Sequence, residues 1–598
     1  METLSTVLAW SYEHPLLFAG VALICTALGA YVYVVVASLV RPHYSPLRDL
    51  PGPKRDHLVW GNLARIFEEE PGVSHKRWMK EFGGAVKYGS FTGDTRLVLT
   101  DPTALNHVLL SNAYDFPKPE EVRGELAMTL GKGVLFAEGE DHRRQRRIMQ
   151  PSFGIGHIRE LVPIFFEKTY KLRDAWLKLL STNALDKDAW KDDAALSAFS
   201  SAQASNPPSQ PEVVLELCKW LNRVTLDIIG VAGFGYEFNA LESEENQLGK
   251  AFSRMFSRSG GKKITPRGVL IFRFVGWFIR HLPVLSIASW IPLRRFREVR
   301  EGFATVERES RKIIVSKQNA VEKDGLDSIR GSKDLIALLL KSVEQDTKAS
   351  MTETELRGQL TTFLLAGHET TSTALTWLFH LLSQPEHQHR QERLREEIRA
   401  ARQKAQREGR DELESQELDA LPYLDAVTRE VLRLESPVSA TIRHAARDSL
   451  IPLGTPVRSS RDPSKLITHV EVKKGQHIFV PIAAVNTNPA VFGEDADQFR
   501  PERWLDGAGG EKIEGNVGVY SNMLTFLAGP RSCIGYRFAL LELKAILSVL
   551  IDDFAFSPRE PGMKVEHRSQ IVTRPLIVGE EELGTRMPIR VRRAEREE

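Results

Sequence analysis

Cysteine is scarce in this chain of 598 residues, which contains only Cys25, Cys218 and Cys533. So few cysteines exclude a disulfide-stabilised scaffold, and their spacing matches no zinc site. The low number fits a reducing compartment. An excess of one charge is also lacking, because 80 Lys and Arg stand against 78 Asp and Glu. This near-balance argues against a nucleic-acid-binding protein.

The common nucleotide-binding and zinc-binding motifs are missing as well. Gly131 and Gly133 begin a G-x-G-x-x-G pattern, but Phe136 stands where its third glycine belongs. The helical motif of zinc proteases begins at His368 but has Ser372 in place of its second histidine. No flavin or nicotinamide fingerprint is present, so electrons for any redox reaction would come from another protein.

Charged residues and proline are absent from residues 16–40. As a helix, this segment would be about 37 Å long, which is enough to cross a hydrocarbon core of about 30 Å. A cleaved signal peptide would have a basic start, whereas Glu2 and Glu13 precede this segment. Basic residues follow it instead, at Arg41, Arg48, Lys54 and Arg55. A signal anchor is therefore the favoured interpretation, with a cleaved signal and a buried core helix as alternatives.

The positive-inside tendency orients this anchor. We predict a lumenal N-terminus at 1–15, a transmembrane anchor at 16–40, a basic and Pro-rich linker at 41–55 and one large cytosolic domain at 56–598. Helical periodicity predicts helices at 160–180, 213–231, 303–321, 352–383, 387–408 and 421–434. Short strands are predicted at 86–88, 96–99 and 478–480 and within 565–578. The polar segments 197–211 and 458–464 are predicted to be surface insertions.

The predicted helix 352–383 carries polar residues where an apolar helix would exclude them. Thr352 and Glu355 form a capping-box pattern at its start. In its centre, Gly367 costs about 1 kcal/mol of helix propensity, and Glu369 and Thr370 follow directly. Such departures from local rules often mark a functional site, although a polar patch facing solvent is the alternative.

Two further motifs follow in the C-terminal half. Glu430 and Arg433 are three residues apart and share one face of the predicted helix 421–434. Residues 499–504 read Phe-Arg-Pro-Glu-Arg-Trp and include Arg503. The loop 526–535 then holds Cys533 just before an apolar helix, where backbone N–H groups and the helix dipole favour a thiolate. By itself, a lone cysteine beside glycines is more often structural.

Together, these motifs resemble the cytochrome P-450 superfamily, from about residue 50 to the C-terminus. The family's heme-binding signature F-x-x-G-x-R-x-C-x-G is complete, at Phe526, Gly529, Arg531, Cys533 and Gly535. The motifs A-G-x-E-T, E-x-x-R and P-E-R-W precede it in the family's order. The resemblance implies a mainly α fold with minor β, the cytochrome P-450 fold, behind a single N-terminal transmembrane helix.

The resemblance also implies a heme b cofactor whose iron takes Cys533 as axial ligand. Residues 139–147 resemble the family's helix beside the heme, which makes His142 and Arg146 candidates for binding the heme propionates; His142 stands where the family often has Trp. Arg443 matches a later propionate-binding arginine, and Arg–carboxylate pairs suit such a contact. Glu430, Arg433 and Arg503 would form a structural network behind the heme, without a catalytic role.

The activity implied is insertion of one oxygen atom from O2 into a lipophilic substrate, such as a terpenoid, steroid, fatty acid or aromatic compound. A thiolate ligand favours O–O cleavage, and Thr370 with Glu369 would manage protons and water. Electrons would come from NADPH through a separate reductase, with cytochrome b5 as a further candidate donor. The anchor and Pro-rich linker resemble those of endoplasmic-reticulum members with a cytosolic catalytic domain. The overall character resembles fungal members, many of which act in secondary metabolism.

By family position, the pocket walls would be residues 117–135, 363–370, 438–442 and 570–573, which are mostly apolar. Arg123 and Arg574 lie near these walls. They leave room for a substrate carboxylate at the mouth of the pocket, but the favoured interpretation is that they are surface residues. Two other functions stay open: a heme isomerase or dehydratase that needs no reductase, and a membrane-tethered binding protein with an inactive heme fold. The intact Glu369–Thr370 pair favours a monooxygenase over the first, and the intact Cys533, Thr370 and Glu430 argue against the second.

Overall fold

A computed structural model describes residues 14–182, 210–242, 294–324, 350–505, 517–569 and 572–596, with isolated positions between these ranges. Most of the predicted insertion 197–211 and residues 570–571 of the predicted pocket wall lie outside the described residues. The α-helices are α1 Pro15–Tyr44, α2 Leu63–Glu68, α3 Val73–Phe82, α4 Pro102–Asn106, α5 Glu120–Leu130, α6 Gly139–Met149, α7 Ile155–Thr182, α8 Leu217–Phe234, α9 Arg294–Asp324, α10 Glu353–Ser383, α11 Gln388–Arg407, α12 Ser415–Ala420, α13 Pro422–Leu434, α14 Ile482–Val485, α15 Pro489–Phe492 and α16 Tyr536–Asp553.

The described strands form four small sheets. They are β1 Ala85–Gly89, β2 Thr95–Leu99, β3 Glu212–Glu216, β4 Thr441–His444, β5 Ser449–Arg458, β6 Leu466–Val472, β7 His477–Val480, β8 Phe554–Pro558, β9 Val565–Ser569, β10 Thr573–Ile577 and β11 Pro588–Arg593. One sheet has the order β1-β2-β7-β4, with β2 and β7 parallel and the other pairs antiparallel. A second has the order β3-β11-β8, and β5-β6 and β9-β10 are separate antiparallel pairs. The fold is therefore mainly helical with minor sheet, as predicted.

The central helix α10 begins at the predicted capping box. The backbone N–H of Glu355 donates to the Thr352 hydroxyl (3.2 Å), and the Glu355 carboxylate accepts from the Thr352 N–H (2.8 Å). Helix α10 is buried on nearly all sides and packs against α8. A Cβ at Gly367 would come within 2.8 Å of Ile229 Cγ1 of α8, so the glycine permits this close packing at the expense of helix propensity.

The predicted helix 213–231 is wrong at its start. Residues Glu212–Glu216 form β3, which pairs with β11, and α8 begins only at Leu217. Val213, Val214 and Leu215 are all buried in this pairing. The partner strand lies more than 370 residues away in the chain, so periodicity could not reveal it. The predicted surface insertion 458–464 is largely the tip of the β5-β6 hairpin, and residues 460–464 are exposed there.

Helix α1 extends past the predicted end of the anchor and contacts the domain. Ala37 and Ser38 are buried, and the Ser38 carbonyl accepts from Arg55 Nη1 (3.1 Å). A Cβ at Gly93 would lie 2.5 Å from the Ala37 carbonyl oxygen. Of the described helices, α1 is the one long and apolar enough to cross a membrane. A signal sequence would have the same properties, so the membrane anchor stays a prediction.

The β9-β10 hairpin is fastened to the rest of the domain by His567. Its Nδ1 lies 2.6 Å from a Glu70 carboxylate oxygen, and its Nε2 lies 2.6 Å from one of Glu435. The imidazole ring also stacks on Trp377 of α10, with ring centroids 4.1 Å apart. Burial opposes a charge here, but the two carboxylates raise the pKa of His567 to about 10.

Candidate active site

The loop before α16 presents Cys533 through a tight set of backbone contacts. The Cys533 N–H donates to the Phe526 carbonyl (2.8 Å), and the Ser532 N–H donates to that of Gly529 (3.0 Å). Gly529 has a φ of +65°, and a Cβ there would lie 2.2 Å from the Leu109 carbonyl oxygen. Only glycine is compatible with this position. The loop ends at Gly535, which precedes the first turn of α16.

The Cys533 thiol does not show the lowered pKa that the sequence predicts. A backbone N–H of Gly535 and the charge of Arg146 both lower the pKa, but desolvation outweighs them, and the net shift is upward. The side chain is nevertheless accessible to solvent. The thiol is therefore desolvated by the surrounding protein and at the same time accessible to a ligand. The thiolate would then form through metal binding, since a metal ion displaces the thiol proton.

Basic side chains from separate elements gather near this loop. Arg146 of α6 donates to the Ser532 carbonyl (2.6 Å) and hydroxyl (3.2 Å). Arg531 donates through Nε to Glu138 (3.0 Å) and stands over the Tyr114 ring. The structure thus places Arg146 and Arg531, two of the predicted site residues, at the cysteine loop.

His142 and Arg443 complete the predicted set and differ in charge. His142 is buried, and its Nδ1 lies 3.1 Å from the Tyr114 hydroxyl. Desolvation, with the charges of Arg531 and Lys118, lowers the pKa of His142 to about 4, so the ring is neutral at pH 7. Arg443 of β4 is also buried, and desolvation followed by repulsion from Arg531 lowers its pKa to about 10.

Arg443 provides a test of whether the site fits a heme. Its guanidinium donates to the Thr441 hydroxyl (2.6 Å) and the Ile442 carbonyl (2.9 Å). Among the described residues, no carboxylate lies within salt-bridge distance of it. A buried cation without a counter-ion is unfavourable, so the site favours an anionic ligand. The two propionates of a heme would supply that charge, and Cys533 would supply an axial ligand.

Sequence reasoning missed two other members of this cluster, Lys118 and Glu138. Lys118 Nζ lies 2.7 Å from Glu138 Oε1, and desolvation lowers the pKa of Lys118 to about 8. Glu138 directly precedes the segment 139–147 that the resemblance singled out. Its position next to that segment was the one sequence signal that pointed to Glu138. Its ion pairs could not be predicted, because Lys118 lies 20 residues before it and Arg531 lies 393 residues after it.

The predicted acid and alcohol on α10 point to different partners. Thr370 is half-buried, and its hydroxyl donates to the Ala366 carbonyl (2.7 Å). The Glu369 carboxylate instead accepts from Arg574 Nη2 (2.5 Å). The interpretation of Arg574 as a surface residue is wrong, because its side chain is buried in this ion pair. The partner strand β10 lies about 200 residues away in the chain, so the sequence carried no signal for the pair.

Glu369 and Arg574 also line a cavity of about 340 Å³ between α8, α10 and β10. Glu216 lies in the same wall, and desolvation raises its pKa to about 7. The cavity is therefore lined by the ionisable side chains of Glu216, Glu369 and Arg574.

Glu430, Arg433 and Arg503 meet in a fully buried ion network. Arg433 donates to both Glu430 oxygens (2.9 and 2.7 Å), and Arg503 Nε donates to Oε1 (2.9 Å). Trp504 donates its indole N–H to Oε2 (2.9 Å), and Arg503 also reaches Asp495 (3.0 Å). The network joins α13 to the segment 486–504, because Arg433 additionally binds the carbonyl of residue 486.

Comparisons with known proteins identify the family of this chain. The family model for cytochrome P-450 matches residues 51–577. Cytochrome P-450 monooxygenase 205 of Postia placenta is 36% identical over 574 residues, covering 95% of this chain and 96% of the relative. Cytochrome P-450 monooxygenase claQ of Ampulloclitocybe clavipes is 32% identical over 561 residues, covering 93% and 94%. The chain therefore belongs to the cytochrome P-450 family of monooxygenases, which are oxidoreductases.

Proposed function

We propose that this protein is a membrane-anchored heme-thiolate monooxygenase that inserts one oxygen atom from O2 into a lipophilic small molecule. The observation that carries the proposal is Cys533, which lies in a complete 526–535 loop beside Arg146 and is accessible to a ligand. A bound heme would supply O2 activation, which no amino-acid side chain provides.

Each side chain of the site has a distinct role in this proposal. Cys533 ligates the iron, while Phe526, Gly529 and Gly535 shape its loop. Arg443 and Arg531 bind the heme propionates, and neutral His142 contributes a hydrogen bond. Arg146 fixes the loop through Ser532. The buried network of Glu430, Arg433 and Arg503 holds the segment 486–504 in place.

Thr370 and Glu369 would manage protons and water beside a bound heme. A hydroxyl can donate and accept a proton, and the half-buried Thr370 hydroxyl has only the Ala366 carbonyl as a partner in the described residues. The Glu369 carboxylate is held by Arg574, so it must leave this ion pair before it can pass a proton to Thr370. Arg574 therefore controls proton transfer from Glu369 to Thr370 in this proposal.

The proposed substrate is lipophilic because apolar residues dominate the inferred walls. Phe363 is buried and stacks on Phe153, and Val134, Val438 and Val572 lie in the same proposed walls. Burying apolar surface gains about 25 cal/mol per Å², which favours terpenoids, steroids, fatty acids and aromatics over small charged metabolites. The set of side chains does not select one of these classes.

The proposed cellular setting follows from α1 and from the missing cofactor motifs. Helix α1 anchors the protein in the endoplasmic-reticulum membrane with the catalytic domain in the cytosol. Electrons come from NADPH through a separate reductase, with cytochrome b5 as a further candidate donor. The relatives' names describe monooxygenases and support the reaction class.

A carbon monoxide difference spectrum of the reduced protein tests the proposal. The wild type should show the red-shifted Soret band of thiolate ligation, and Cys533→Ser should lose it. Cys218→Ser is the matched control, because that residue lies on α8, away from the 526–535 loop, and should keep the band. A wild type without this band, or a Cys533→Ser variant that retains it, would refute the proposal. Compounds that shift the heme to high spin can then be tested for turnover with reductase and NADPH.

A further inference from the structure

Glu138 uses both of its carboxylate oxygens to join two loops of the heme-side cluster. Oε1 accepts from Lys118 Nζ (2.7 Å) and from the Lys118 backbone N–H (3.0 Å). Oε2 accepts from Arg531 Nε (3.0 Å) and also from its Nη2. The Glu138 side chain is only 11% exposed. One buried carboxylate therefore ties the segment around residue 118 to the loop that presents Cys533.

The cluster contains more positive than negative charge. Lys118, Arg146, Arg443 and Arg531 are its cations, and within the described part of the chain Glu138 is the carboxylate paired with any of them. Burial opposes ionisation of Glu138, but Lys118 and Arg531 hold its pKa at about 2. The carboxylate is thus a permanent negative charge at neutral pH.

We propose that Glu138 is an internal counter-ion of the heme pocket, which positions Lys118 and Arg531 and lowers the reduction potential of the heme iron. The inference rests on the proposed function, since it requires a heme beside this cluster. A fixed negative charge in a poorly screened interior disfavours the addition of an electron nearby. Glu138 does not touch the reacting atoms, and because it also holds Lys118 and Arg531 in place it is a positioning residue.

A redox titration without substrate tests this inference on the full-length, heme-loaded protein. Glu138→Gln keeps the shape of the side chain and removes its charge, so the potential should rise. The expected change is up to about tenfold in the one-electron reduction equilibrium, which corresponds to about 59 mV. Lys118→Met removes a positive charge from the same ion pair and should shift the potential in the opposite direction.

Glu140→Gln is the matched control. Glu140 lies two residues further along the chain, is 82% exposed and pairs with Arg143 on the surface of α6. Its substitution should leave the potential unchanged, because a solvent-exposed charge is well screened. Heme content and the carbon monoxide spectrum of every variant are measured in parallel.

The outcomes separate this inference from the proposed function. If the wild type lacks a thiolate-ligated heme, the proposed function fails, and the inference fails with it. If the heme is bound normally but Glu138→Gln shows no more shift than Glu140→Gln, Glu138 is not a counter-ion of the heme. Should Glu138→Gln fail to retain heme, Lys118→Met decides the question, and an unchanged or raised potential in that variant overturns the inference.

Discussion

Glu430 should contribute far more to stability than its single charge suggests, because it is the centre of a buried network. Arg433 is 0% exposed and Arg503 is 1% exposed, and both donate to Glu430. The substitution Glu430→Gln would leave two buried guanidinium groups with Asp495 as the remaining carboxylate. It would also turn an amide N–H₂ group towards donors that the carboxylate now satisfies.

The loss of unfolding free energy in Glu430→Gln depends on the buried guanidinium groups that lose their carboxylate partner. Breaking a buried ion pair by removing one partner costs about 3–5 kcal/mol. We expect Glu430→Gln to lie at the upper end of this range, since Trp504 also loses an acceptor. Trp504→Phe removes a single hydrogen bond to a charged group and should cost about 1.5–3 kcal/mol. The two variants therefore predict a graded loss of stability.

Urea unfolding of the heme-loaded protein, followed by circular dichroism, measures these effects as changes in the free energy of unfolding. Glu392→Gln is the control, because Glu392 has the same spacing to Arg395 as Glu430 has to Arg433. Glu392 is 56% exposed, and Arg395 keeps its bonds to the carbonyls of residues 551 and 554. This control should cost below about 1 kcal/mol. A cost of Glu430→Gln no larger than that of the control would refute the reasoning.

Three further changes have defined outcomes. Thr370→Ala should leave the heme bound but divert NADPH electrons to peroxide, and unchanged coupling to product would contradict the proposed proton role. Deletion of residues 1–40 removes the docked end of α1, so this protein should be about 1 kcal/mol less stable than one lacking only 1–32, measured by urea unfolding; both should leave the membrane fraction. His567, whose pKa is raised to about 10, stabilises fully below pH about 6.5 and loses this contribution as the pH rises through 10, so His567→Gln should flatten the decline in unfolding free energy between pH 7 and 10.

Periodicity and capping patterns correctly predicted most of the helices and strands that depend on neighbouring residues in the chain. The periodic segments 352–383, 387–408 and 421–434 match α10, α11 and α13 to within one residue at each end, and 303–321 falls on α9, which begins nine residues earlier. The capping box at the start of α10 forms as predicted. Four strand predictions are confirmed by β1, β2, β7 and the β9-β10 hairpin. In each case side-chain periodicity or a cap a few residues long carries the information.

Long-range pairings could not be predicted in this way. Residues 213–216 were predicted to be helical because the pairing that makes them part of the strand β3 is with β11, which lies far along the chain. The ion pair of Glu369 with Arg574 and that of Glu138 with Arg531 also join distant segments. The raised pKa of Cys533 has the same origin, since desolvation depends on the whole surrounding fold. Motifs identified which residues matter, whereas the tertiary structure determined how their charges are paired.

Charge balance distinguishes the two buried ionic clusters of this protein. In the Glu430 network, the two buried arginines meet two carboxylates, Glu430 and Asp495. A third arginine, Arg500, also pairs with Asp495 but is 40% exposed, so the buried charges balance without any ligand and suit a structural role. The cluster beside Cys533 instead sets four cations against the carboxylate of Glu138. Since unbalanced buried charge is costly, such a cluster is stable only with an anionic ligand. Sequence spacing cannot separate these cases, because both contain acidic and basic residues, but the pairing seen in the structure distinguishes the Glu430 network from the positively charged cluster at Cys533.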